Sequence, residues 1–167
     1  SGHKVTTTWA GTVDIKKRIA AGETFDLVII SAIEIETFVK DGKMIAGSRV
    51  DLMTSGVGVA VKAGAPKPDI GSAEALKNAL LTAKSVGYST GPSGVHVQRM
   101  VEKMGIAEQV KAKAKQTQPG VLVAKIIASG EAEIGFQQVS ELIHESGIQY
   151  LGPLPDRKST RLNSSHT

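Results

Sequence analysis

Ala21-Gly22-Glu23-Thr24-Phe25-Asp26-Leu27-Val28-Ile29-Ile30-Ser31-Ala32 is the stretch on which the fold turns. Gly22 can take the left-handed backbone that ends a helix. Phe25 to Ile30 is a near-continuous apolar run, the mark of a strand covered on both faces, as in parallel sheets. Ser31 and Ala32 then lead into Ile35, Phe38 and Val39, a short helix that Gly42 stops. Ahead of the stretch, Gly11 and Thr12 open a helical pattern with Ile15 and Ile19 four apart, and Thr12 is the expected N-cap. Earlier still, His3 to Trp9 is β-branched and strand-like. Strand, helix, buried strand and helix in succession predict an α/β architecture with mostly parallel strands and helices on their faces.

The alternation continues downstream. Val57, Val59 and Val61 alternate with small residues and predict a strand. Gly64 to Gly71 (GAPKPDIG) is the clearest linker or turn. Ser72 caps a helix carrying Leu76, Ala79 and Leu80, and Ser85 to Ser89 is a strand. Gly91, Pro92, Ser93 and Gly94 lead into a helix with Val97, Met100, Val101 and Met104 at helical spacing. Lys111 to Gln116 reads as a strand whose alternating Lys111, Lys113 and Lys115 form a solvated face. Pro119 and Gly120 open a helix carrying Leu122, Val123, Ile126 and Ile127, stopped by Gly130. A strand over Glu133–Gln138, a short helix over Ser140–Glu145 and a strand over Ile148–Leu151 complete the pattern. No internal repeat is visible.

Composition sets the bounds. Of 167 residues, 41% are hydrophobic and 22% charged, as in an ordinary globular protein. Aromatics make up only 4%, so the core must come from Val, Ile, Leu and Ala. The absence of cysteine excludes disulfides and thiolate metal sites. The formal charge of +4 is partly a property of the tail, without which Lys+Arg falls from 20 to 17 and Asp+Glu from 16 to 15, leaving +2. That balance, with no basic run interleaved with aromatics, argues against nucleic acid as a partner. No apolar run reaches the roughly 18 residues that span a membrane.

The tail breaks the pattern. Asp156 to His166 (DRKSTRLNSSH) has no periodicity and no core, and it matches the translation of a common sequencing adaptor. Residues 156–167 are therefore expected to be non-native, with the natural sequence running only to about Pro155.

Hydroxyl- and glycine-bearing turns at strand-to-helix junctions carry the chemistry. They are Gly11-Thr12, Ser31-Ala32, Ser93-Gly94 within Thr90–Gly94, and Gly120 within Gln118–Gly120. A helix start offers unpaired N–H groups and the positive end of a dipole, which together bind anions without a cation. In a parallel sheet such turns gather at the carboxyl ends of strands, where ligands bind. Other chemistries lack their motifs. Gly56-Val57-Gly58 runs into a strand rather than a helix, so it is no dinucleotide fingerprint. His3, His96, His144 and His166 are scattered, with His96 expected at the surface, and Glu34 and Glu36 fall on different helix faces. Ser93 lies in G-P-S-G-V rather than a nucleophile elbow. No catalytic residue, metal ligand or cofactor is expected.

Trp9-Ala10-Gly11-Thr12, the A-G-E-x-x-D-x-x-I-x-x-A stretch, Gly91-Pro92-Ser93-Gly94 and Glu131-Ala132-Glu133-Ile134-Gly135-Phe136-Gln137-Gln138, in that order, resemble the molybdate-binding proteins of ABC importers and their wider group of extracellular solute-binding proteins. The resemblance covers about Gly2 to Pro155. It implies a type II periplasmic-binding-protein fold with two lobes closing on a small oxyanion such as molybdate or tungstate, held by hydroxyls and N–H groups without formal positive charge. It places Gly11, Thr12, Ser31, Ala32, Ser93, Gly94, Gly120 and Gln137 or Gln138 at the ligand, the two glutamines standing where molybdate binders often carry tyrosine. It implies a membrane permease of an ABC transporter as partner, a periplasmic or extracellular location, a monomeric complete protein and no catalysis. Residues 1–58 correspond to part of lobe one, 59–150 to lobe two and 151–155 to the return toward lobe one. Hinges are expected near Gly58–Val61 and Tyr150–Gly152. The family's opening signal peptide, strand and helix are missing, so truncation at both ends is expected. The alternatives are an effector-sensing domain of a transcription regulator with the same fold, and an enzyme built on it.

Overall fold

The computed structural model describes residues 2–155, so the expected tail at 156–167 lies outside the described residues. The chain divides into two compact units, with the boundary between Met53 and Thr54.

The first unit contains two helices, α1 (Thr12–Ala20) and α2 (Ala32–Lys40). Gly11, not Thr12, is the N-cap of α1; Thr12 is the first helical residue. Gly22 follows the helix with φ 91°, the left-handed stop its sequence predicts. Ser31 is the N-cap of α2, and Phe38 is its buried residue. The expected strands do not form: neither His3–Trp9 nor Phe25–Ile30 belongs to a ladder, and Leu27 and Ile29 are 78% and 67% exposed. An apolar run becomes a buried strand only when neighbours satisfy its backbone groups and cover its faces. Among the described residues no strand pairs with it, and of its side chains only Val28 and Ile30 are half-buried.

The second unit runs β1 (Val57–Lys62), α3 (Ala73–Thr82), β2 (Val86–Ser89), α4 (Pro92–Lys103), α5 (Ala107–Lys111), β3 (Ala114–Thr117), α6 (Val123–Ser129), β4 (Ile134–Gln138), α7 (Val139–Leu142) and β5 (Ile148–Pro153). The strands form one sheet in the order β3-β2-β4-β1-β5. β2 pairs in parallel with β3 and β4, while β1 pairs antiparallel with β4 and β5. Four strands therefore point one way and β1 alone is reversed.

Each face of the sheet is covered, and strand alternation decides by what. Val59, Val61, Val86, Tyr88, Ile134 and Phe136 pack with Leu76, Leu80, Val97, Val101 and Val110 from α3, α4 and α5. On the other face Ala60 meets Val123, Ala124, Ile127 and Leu142 from α6 and α7. Here the strands contribute glycine. A Cβ on Gly135 would lie 2.5 Å from Ile127 Cδ1, and one on Gly87 would lie 3.1 Å from Val123 Cγ1, so α6 rests almost on the backbone.

Two expectations are corrected. Lys111 ends α5 and only Ala114–Thr117 forms a strand, so the three lysines share no strand face. Lys113 Nζ instead donates to Leu81 O and Ala83 O at 2.7 and 2.6 Å, capping the carbonyl end of α3. Pro119 and Gly120 do not open a helix. Val121 N bonds Gln118 O, with Gly120 at φ 80°, a type II turn; α6 begins at Val123. Gly58–Val61, where a hinge is expected, lies inside β1 and pairs with β4 and β5.

Candidate functional site

The route of the chain locates the site. From β2 it passes through α4 and α5 to β3 on one side, then through α6 to β4 on the other side of β2. Right-handed crossovers in opposite directions place α4 and α6 on opposite faces. The crevice at the carboxyl ends of β2 and β4 is thus a topological switch point, the usual ligand position in open α/β sheets.

Among the described residues only three polar side chains are buried: Ser93 (5% exposed), Thr117 (5%) and Gln137 (3%). All three lie at this end of the sheet. Thr117 closes β3 and is directly paired with Ser89, the last residue of β2. Tyr88 is paired with Phe136, so Ser89 and Gln137 are the next step along β2 and β4. Thr117, Ser89 and Gln137 therefore form a row across three adjacent strands, on the face where Gly87 and Gly135 meet α6. Ser93 joins the row from α4, its Oγ 3.0 Å from Ser89 Oγ.

The members of the row differ in what they have left to offer. Gln137 Oε1 accepts from Ala124 N at 3.0 Å, and its Nε2 donates to Glu141 Oε2 at 2.7 Å. One lone pair and one of its two N–H groups are thus used in holding α6 and α7 to β4. Gln138, half-buried at the N-cap of α7, makes no side-chain cap bond. Ser89 Oγ accepts from Gly91 N at 3.2 Å and is bonded to Ser93 Oγ; whichever serine donates, one hydroxyl hydrogen remains to be used. Thr117 Oγ1 is buried with no hydrogen-bond partner among the described residues.

Helix α4 completes the rim. Gly91 is its N-cap, and Pro92 opens it, where a missing N–H costs nothing. The N–H groups of Ser93 and Gly94 have no backbone partner among the described residues. Gly94 is required by contact: a Cβ there would lie 1.7 Å from Ser89 O. That closeness seats the helix start on the end of β2. The result is a set of neutral donors at the positive end of a three-turn helix. A shallow cavity of about 190 Å³ lies at the other end of the strands, beside Pro66, Lys67, Pro68, Ala79, Glu133 and Ile134.

The remaining expected residues are placed as follows. Gly11, Thr12, Ser31 and Ala32 all stand at the helix starts of the first unit. Ser31 Oγ is buried and unpartnered among the described residues. Gly120 is exposed in its turn, and His96 is exposed on α4. Sequence reading missed Ser89 and Thr117. The strand was expected to end at Gln116, one residue early, and the register that sets Thr117 beside Ser89 has no local signal.

Residues 1–163 match the family model described as bacterial extracellular solute-binding protein. The chain belongs to that family. Two curated relatives show the spread within reach of this solute-binding protein. One, from Pseudomonas sp., is named aconitate isomerase and is 40% identical over 144 residues, covering 86% of this chain and 55% of the relative. The other is the molybdate-binding protein ModA of Azotobacter vinelandii, 31% identical over 153 residues, covering 89% of this chain and 59% of the relative. The chain thus spans somewhat more than half the length of either. Among solved structures, the periplasmic molybdate-binding protein of Azotobacter vinelandii superposes with a TM-score of 0.70 at 17% identity, covering 95% of this chain and 70% of that one. The fold is that of type II periplasmic binding proteins.

Proposed function

We propose that this chain is the ligand-gripping part of the substrate-binding component of an ABC importer, acting in the periplasm or outside the cell and handing its cargo to a membrane permease. The cargo is a small anion held by neutral donors, with molybdate and tungstate the first candidates. The observation that carries this reading is the clustering of Ser93, Thr117 and Gln137 at the switch point, beside the start of α4. An ionised oxygen strengthens each N–H or O–H bond made to it, so no lysine or arginine is required. Of the two glutamines, Gln138 is the better ligand contact, because the amide of Gln137 is engaged on both sides. The helix starts at Gly11-Thr12 and Ser31-Ala32 belong to the same reading.

The relative named aconitate isomerase, at 40% identity, favours a second reading in which the anion is a small polycarboxylate. Neutral donors at a helix start suit a carboxylate as well as a tetrahedral oxyanion. Calorimetric titration of the protein with molybdate, tungstate, sulfate, phosphate, citrate and trans-aconitate separates the two. Saturable binding of molybdate or tungstate is the expected result. Binding of the carboxylates alone would replace the oxyanion, and turnover of trans-aconitate would replace the binding role with catalysis. No binding of any of the six at millimolar concentration would overturn the anion reading.

A further inference from the structure

We propose that Thr117, which no motif marks, is a ligand contact at the carboxyl end of β3. The inference rests on the anion-binding reading above and deepens it. Burying a hydroxyl without a hydrogen bond is unfavourable, and buried polar groups in folded proteins are nearly always paired. Thr117 is the exception in the second unit: it is buried, and its Oγ1 has no partner among the described residues.

Its direction is set by the sheet. Paired residues of parallel strands project to the same face, and Thr117 is paired with Ser89. Ser89 Oγ in turn touches Gly91 N and Ser93 Oγ at the start of α4. The Thr117 backbone therefore stands one strand spacing, about 4.8 Å, from that of Ser89, with both side chains on one face of the sheet. Two hydroxyl hydrogens on neighbouring strands can converge on the oxygens of one anionic group lying between them. Ser89 reaches the ligand through Ser93 or holds Ser93 in place; Thr117 has no such internal use. The β-carbon methyl of Thr117 packs as a valine would, so its hydroxyl adds nothing to the fold that the isostere lacks.

This separates a ligand role from a structural one. Thr117→Val removes the hydroxyl at nearly constant shape, and Thr117→Ser restores it. The panel of six anions is titrated into all three proteins, and melting is followed with and without each anion. For every anion that binds the wild type, Thr117→Val is expected to weaken binding about ten- to a hundredfold, the scale of one hydrogen bond to a charged group. Thr117→Ser is expected to recover most of that loss. In the absence of anion, Thr117→Val melts no lower than the wild type, because an unpaired buried hydroxyl has been replaced by a methyl. Unchanged affinity in Thr117→Val, or a lower anion-free melting temperature, overturns the role of Thr117 while leaving the anion site standing. A wild type that binds none of the six overturns both.

Discussion

The two units solve the problem of staying folded in opposite ways. Almost the whole buried core belongs to the second unit, where both faces of the sheet are covered. The first unit buries only Ile19 and Phe38 among its large side chains. It carries every ion pair found among the described residues: Lys16–Glu34 at 2.9 Å, Arg18–Glu23 at 2.5 Å, and Arg49 with Glu36 and Asp51. Arg18 also lies over the Phe25 ring, 5.0 Å from its centroid. Its hydrogen bond to Glu23 holds that carboxyl below its ordinary range. Such exposed pairs are individually weak and are screened by salt, whereas apolar burial is not. The lesson is that the same kind of sequence, a Val/Ile/Leu run beside a capped helix, yields a core only where other strands meet it.

The sharpest way to break this contrast is at the junction of α4 and β2. Gly94→Ala places a methyl where Ser89 O already sits, and neither partner is a flexible side-chain end. The backbone itself must move. We expect a loss of about 4 kcal/mol or more, or failure to fold, measured by urea unfolding. A loss under about 1 kcal/mol would mean that α4 is not seated on β2, and the rim of donors would go with it. Leu80→Ala comes next. Leu80 is fully buried on α3 against the sheet, and its removal leaves a cavity. The expected cost is about 2–5 kcal/mol in the same experiment.

These two residues also show what could be read in advance. Leu80 was legible because helical periodicity is local, and so were the cap at Ser72, whose Oγ accepts from Ala75 N, and the strand at Val57–Lys62. Gly94 was legible as part of a helix start, but its contact with Ser89 was not. The candidate site was half legible. Ser93 could be picked out because glycines flank it at a helix start; Thr117 could not, because its importance lies in a register between strands and in a missing partner. Phe25–Ile30 shows the reverse failure. Its apolar run is a demand for neighbours, and local sequence cannot say whether the demand is met.

The smallest expected effect tests that last point most directly. Leu27 lies in the middle of the run and is largely exposed. Leu27→Ser should therefore remove almost no buried apolar surface, and the expected change in unfolding free energy is within about 0.5 kcal/mol, as for surface substitutions generally. Leu80→Ala and Leu27→Ser change side chains of the same size and differ mainly in burial, so their ratio measures the contrast between the units. A cost for Leu27→Ser of about 2 kcal/mol or more, on the scale of burying one leucine, would show that the run is covered in solution. The first unit would then be held by apolar packing like the second.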